Sequence, residues 1–222
     1  EPAVELILSR LPATLELALA AVLLSVVIGL PLGLVAGWKP HGVLARSIMA
    51  GSILGFSLPV FWIGILLIMI FSVYTGWLPS SGRGETRVVL GIGWSFLTLD
   101  GLRHMLLPAL SLSLFNIAMV TRLTEAGVRE AMSSDYVRFA RAKGLSPRRI
   151  LSVHVLKNVM IPVVTVVGLD IGQTIAFSVV TETIFSWPGI GKVIIDSIGA
   201  LDRPVIVAYL MLVVVMFVLS LI

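Results

Sequence analysis

Five stretches of the chain are apolar for long enough to cross a bilayer core, which takes about 20 mainly apolar residues in a helix. They are Ala13–Trp38, Ser47–Leu78, Met105–Thr121, Val159–Thr181 and Pro204–Ile222. The third is short by its apolar count and borrows Leu102 at one end and Leu123 at the other. The second runs without a charge from Arg46 to Arg83, too far for one straight span. Pro59, following Ser57, removes an internal helix hydrogen bond and predicts a kink or break. The segment is read as one span with an irregular first part, a helical hairpin being the alternative. Glycines four apart recur at Gly29, Gly33 and Gly37, at Gly51 and Gly55, and at Gly168 and Gly172. Such ladders let helix backbones approach closely inside a membrane. Trp38 closes the first span, and Tyr74 and Trp77 close the second, as interfacial belts do.

Composition agrees. Of 222 residues, 58% are hydrophobic and 13% charged, with a mean hydropathy of +1.06. A soluble domain carries about a quarter charged residues, so a disordered chain and an ordinary water-soluble enzyme are excluded. The lack of cysteine rules out disulfides, thiolate metal sites and cysteine nucleophiles. A net charge of +4 and a pI near 9.9 raise the question of nucleic acid. The basic residues answer it by their location. Two loops, Lys39–Arg46 and Arg122–Lys157, hold ten basic and three acidic residues, while the remainder holds six and nine. Both loops fall on one side of a five-span arrangement, which the positive-inside rule makes cytoplasmic. There is no separate nucleic-acid patch. This orientation puts Glu1 outside, yet no signal-peptide pattern precedes it. The reading is therefore one transmembrane domain over residues 1–222, a fragment lacking an upstream span and trimmed at its C-terminal end.

The stretch from Glu125 to Pro162 is the most informative. Ser134 fits an N-cap, Asp135 a first turn, and Gly144 the position that ends a helix. Tyr136, Phe139, Ala140 and Lys143 share one semi-apolar face, with Arg138 and Arg141 on another. Ser146-Pro147 restarts a helix as cap and first residue. The result is a short amphipathic helix set across the membrane plane. It either rests on anionic lipid headgroups or offers aromatic knobs to a groove on a soluble partner. Small residues at Ala140 and Ala142 lean toward close protein packing.

The string DYVRFARAKGLSPRRIL, followed by His154, Asn158 and Ile161-Pro162, resembles the cytoplasmic EAA loop of ATP-binding-cassette (ABC) importer permeases, most of all the dipeptide/oligopeptide/nickel branch. The string ETIFSWPGIGKVIIDSI, from Glu182 to Ile198, is similar to that branch's outer loop. With the span order, the resemblance covers nearly the whole chain. It implies an all-α polytopic membrane protein with the type I importer permease fold, about five transmembrane helices corresponding to the family's second to sixth. It also implies a bacterial or archaeal plasma (inner) membrane location. The implied partners are a second similar permease, two cytoplasmic ATPases that carry ATP and magnesium, and an external substrate-binding protein. The chain itself would be non-catalytic and hold no cofactor or metal. The coupling helix would be 134–144, with Tyr136, Arg138, Phe139, Arg141, Lys143 and Gly144 contacting an ATPase. The family's EAA is replaced by Arg138-Phe139-Ala140, and its later proline by Lys157. Both changes are ones this branch shows. Relatives are also glycine-rich where this chain reads QTIAF, Gln173–Phe177.

Polar residues inside spans complete the reading. Asp170 lies midway along the fourth stretch, where a carboxylate is costly and so functional or paired, with Gln173 one turn on to hydrogen-bond it. It is either pore-lining, meeting a peptide amine or other cation, or a polar contact between helices. Asn116 invites the same two readings. Glu16 and Glu182 read as solvated carboxylates near the outer interface. Trp187, Pro188 and Gly189 form an outer turn, with Trp187 at headgroup level; the turn either touches the binding protein or anchors in the membrane. Gly189-Ile190-Gly191-Lys192 lacks the glycine and hydroxyl that a phosphate loop needs, since those positions are Ser186 and Val193. His41, His104 and His154 stand apart, with no zinc spacing. The expected function is the permease of an ATP-driven importer for short peptides or a related solute. The alternative is a stand-alone secondary transporter or channel working through Asp170.

Overall fold

A computed structural model describes residues 3–220, the side chains of Phe217, Leu219 and Ser220 apart. The chain forms α1 (Ala3–Trp38), α2 (Val43–Ser57), α3 (Val60–Leu67) continued by a π-helical turn (Ile68–Tyr74), and a hairpin of β1 (Arg87–Val89) and β2 (Ile92–Trp94). Then come α4 (Leu99–Ser133), α5 (Asp135–Ala142), α6 (Pro147–Arg149), a π-helical stretch (Ile150–Val155), α7 (Leu156–Ile184), α8 (Ile190–Gly199) and α9 (Arg203–Ser220). Among the described residues three helices are long and apolar enough to cross a membrane: Ala3–Trp38, Leu99–Ser133 and Pro147–Ile184. They correspond to the first, third and fourth expected spans. The fifth is shorter in its apolar part, Arg203–Met216, and its expected end at Ile222 lies outside the described residues, as does Glu1.

The second expected span is interrupted where the sequence placed its irregularity: α2 ends at Ser57 and α3 begins at Val60, the two forming either one broken span or a re-entrant pair. Pro59 has extended geometry there and lacks the N–H that would continue α2. The hairpin, absent from the sequence reading, turns at Leu90-Gly91, both with positive φ, as a two-residue hairpin turn requires.

The residues group into two compact units. One comprises the chain up to Val22, Leu58–Ser113 and the chain from Leu169 onward; the other comprises Leu23–Ser57 and Leu114–Gly168. In the first, Ile7, Ile190, Ile194, Val205 and Tyr209 form a buried apolar cluster. In the second, Val120, Val128 and Ala131 of α4 pack with Val137 and Ala140 of α5 and with Ile150, Val155, Val159 and Val163.

The glycine ladder of α1 fixes the second unit. A methyl group on Gly29 would meet Val120 at 2.9 Å; on Gly33 and Gly37 it would run into Thr124 and Val128. These pairs advance together, so α1 and α4 run parallel with one constant register. The Thr121 hydroxyl also donates to the Gly29 carbonyl at 3.3 Å. The other ladders differ. A methyl on Gly55 would make only ordinary contact with Leu114 and Ala118, while one on Gly51 or Gly168 would meet nothing within 4 Å.

Gly33→Leu is therefore expected to lower the thermal midpoint of the detergent-purified protein, since overpacking costs about 1–3 kcal/mol. Gly51→Ala is expected to leave it within experimental error. Equal effects would show that the α1–α4 contact is not specific.

Candidate functional site

Helix α5 carries a buried and an exposed face. Ser134 has the extended N-cap backbone but makes no side-chain cap; its hydroxyl turns back to the Ala131 carbonyl at 2.5 Å. At the other end Gly144, with φ +74°, donates to the Arg141 carbonyl at 2.9 Å. Leu145 donates to the Ala140 carbonyl at 3.2 Å. These two bonds make a Schellman motif, whose left-handed residue favours glycine. The helix limits of the sequence reading hold to within a residue. Ser146 and Pro147 begin the next helix in their expected roles, without a side-chain cap bond.

Val137 (0% exposed) and Ala140 (5%) face the core, so Ala140 does not share the outward face with Tyr136 and Phe139. The argument that its small side chain serves a partner is thereby corrected: it serves packing within this unit. Tyr136 and Phe139 are exposed at 40% and 61%, three residues apart on one side. The Lys143 ammonium stands 4.5 Å from the Phe139 ring centroid. Arg138 forms only an exposed pair with Asp135 at 3.5 Å, which contributes little. Arg141 reaches back to Met132 and lines a cleft of about 370 Å³ with Trp38, Leu145 and Ile150.

Inside α7, Asp170 is buried and its partner is Thr174, whose hydroxyl donates at 3.3 Å. Gln173, expected to be that partner, is exposed. Asn116 is buried at 5% exposure.

The first unit holds a polar cluster that the sequence reading missed. Glu16 and Glu182 are not solvated: they are 4% and 0% exposed. Arg83 grips one Glu16 oxygen through Nη2 at 2.6 Å and Nε at 3.1 Å. The backbone N–H groups of Ser95 and Phe96 donate to the other oxygen at 2.6 and 2.9 Å. Glu182 accepts from the Thr14 hydroxyl at 2.7 Å, the Ser178 hydroxyl at 3.0 Å and the Lys192 backbone N–H at 3.1 Å. Thr14 in turn accepts from the Ile190 N–H at 2.9 Å. A methyl on Gly189 or Gly191 would collide with the Glu182 carboxylate, so the turn lies directly upon it. Trp187 is fully buried, donates its indole N–H to the Ala13 carbonyl at 2.8 Å and lies 5.8 Å from the Arg83 guanidinium. Its expected headgroup position is corrected; the outer turn Trp187-Pro188-Gly189 is anchored from within. No group of three or more metal-ligating side chains occurs among the described residues.

Comparison with known proteins gives a consistent result. A family model described as "binding-protein-dependent transport system inner membrane component" matches residues 29–222. The di/tripeptide transport system permease protein of Pseudomonas aeruginosa is 44% identical over 211 residues, 90% of this chain and 63% of that protein. The dipeptide transport system permease protein of Escherichia coli is 37% identical over 98% of this chain and 69% of its own length. The oligopeptide transport system permease protein of Bacillus subtilis is 40% identical over 93% and 64%. The chain thus spans about two thirds of the length of the curated relatives it matches. An inward-facing structure of a methionine ABC transporter superposes with a TM-score of 0.75 at 18% identity, over 99% of this chain and 93% of that one. A histidine-bound amino acid ABC transporter gives 0.62 at 15%, over 97% and 91%. These two likenesses establish a shared fold.

Glu182→Ala leaves Thr14, Ser178 and the Lys192 N–H without their acceptor, at about 1–3 kcal/mol per orphaned group. It is expected to lower the thermal midpoint and to speed tryptic cleavage after Lys192. Unchanged cleavage would mean that the carboxylate does not hold the turn.

Proposed function

The chain belongs to the family of binding-protein-dependent transport system inner membrane components, and from that premise we propose that it is the permease subunit of an ATP-driven importer of short peptides. It sits in the inner membrane, as its family does. In this reading it forms half of a translocation pore with a second, similar permease. Two cytoplasmic ATPases bind ATP and magnesium, and an external binding protein delivers the solute. The chain performs no bond chemistry; its work is mechanical.

The observation that carries the reading is the outward face of α5. Tyr136 and Phe139 are left uncovered by their own unit, although each aromatic ring has much apolar area to bury. A short helix whose inner face is locked into a core through Val137 and Ala140 transmits a push to the helices behind it. Tyr136 and Phe139 are the knobs that enter the ATPase, Lys143 and Arg138 add charge at the rim, and Gly144 closes the helix. Arg141, turned into its cleft, takes a lesser part. Asp170, Gln173 and Asn116 are the pore candidates; the exposed Gln173 is the one open to a solute within this chain. A stand-alone carrier working through Asp170 is less well supported, because that carboxylate is buried against Thr174.

The test is co-purification of the full-length protein with its candidate ATPases, wild type against Tyr136→Ala/Phe139→Ala. Two interface aromatics of this kind each contribute about 2 kcal/mol or more, so ATPase recovery is expected to fall at least tenfold while the permease itself still folds. Undiminished recovery would remove α5 as the coupling element. A protein that transports without any ATPase would overturn the importer reading.

A further inference from the structure

Arg122 is placed against the electrostatics of a membrane helix. It lies on α4 between Val120 and Thr124, which touch Gly29 and Gly33 of α1. The parallel register puts its backbone about 10 Å along the axis from the level of Trp38, at 1.5 Å per residue. Arg122, which the sequence reading counted as the first residue of the cytoplasmic loop, thus lies within the unbroken α4, about two turns before the level of Trp38. A long cationic side chain there ordinarily snorkels to the near interface. Arg122 goes the other way. Its guanidinium stands 4.9 Å from the ring centroid of Phe56. Phe56 in turn stacks on Phe115 at 4.5 Å, two turns deeper along α4.

Three features make this a site. Arg122 is exposed within its own unit and makes no ion pair among the described residues. Phe56 and Phe115 are 43% and 36% exposed, so the aromatic platform beside the cation is open as well. Phe56 lies in the last turn of α2, where the helix end favours positive charge and helps to hold the guanidinium. Covered by a ring on one face, the guanidinium keeps its N–H edge free. That fork matches a carboxylate. The ligand that fits both halves is a carboxylate attached directly to an apolar group.

We propose that Arg122, Phe56 and Phe115 form a transient site on the translocation path for the C-terminal carboxylate of a peptide, the rings receiving its last side chain. This rests on the importer reading above. The solute leaves the site as readily as it enters, because the cation is paired with a ring and needs no permanent counter-ion.

The experiment is uptake by the complete transporter in proteoliposomes, with dialanine and its C-terminal amide as probes, each at a concentration that saturates the binding protein. Wild type is expected to carry the acid at least tenfold faster than the amide. Arg122→Gln is expected to lower acid uptake to the amide rate and leave the amide rate unchanged, while Arg122→Lys retains most of the preference. An equal fall for both probes, or no change for either, would overturn the site. Loss of the second permease on purification of Arg122→Gln would also overturn it, by showing that the guanidinium pairs with a protein carboxylate. If wild type carries neither probe, the failure is that of the importer reading, and this inference falls with it.

Discussion

The close approach of α1 to α4 is the constraint on which the second unit depends. In hydrocarbon there is no hydrophobic force to bring two apolar helices together, so contact must come from packing itself. Gly29, Gly33 and Gly37 supply a stripe without side chains, and Val120, Thr124 and Val128 fill it. A shift of α4 by one residue would bring other side chains onto a stripe that has no room for them. The contact therefore fixes register as well as proximity. From that register follow the level of Arg122 and the position of Val128 and Ala131, onto which α5 packs.

The first unit depends on a different constraint. Segments without regular structure lie between its helices, and their backbone N–H groups need acceptors wherever water is excluded. Two carboxylates supply them. Glu16 takes the N–H groups of Ser95 and Phe96 together with Arg83, and Glu182 takes Lys192 together with two hydroxyls. Each is thereby an acceptor that ties a loop to a helix. Glu16 has a cation beside it, so its charge is compensated; Glu182 is surrounded by neutral donors. The glycines at 189 and 191 are needed because the turn rests on the carboxylate with no space for a Cβ.

The proposed coupling role rests on the division of α5 into two faces. Had Tyr136 and Phe139 been the residues packed inward, the helix would present only charge and could not grip a partner firmly. Had Val137 and Ala140 been exposed, it would have no purchase on the helices that must move. The Schellman end at Gly144 keeps the helix to two turns, so that in the proposed role α6 and its π-helical continuation follow Phe139 almost at once.

The sequence by itself determined the membrane class, the helical architecture, the break at Pro59, the glycine ladder of α1 and the limits of α5. Each of these depends on neighbours a few residues apart: an apolar run, a proline, a spacing of four, a cap. It also determined the family, because the strings around Gly144 and Gly189 are long and local. Only the tertiary structure decided which glycine ladder finds a partner, that Ala140 faces inward, and that Thr174 and not Gln173 meets Asp170. Only it showed that Glu16, Glu182 and Trp187 are interior. The physical reason is distance along the chain. Glu16 meets Arg83 and Glu182 meets Thr14 across separations no local pattern encodes, and a carboxylate near a helix end looks the same in sequence whether water or a folded loop supplies its donors.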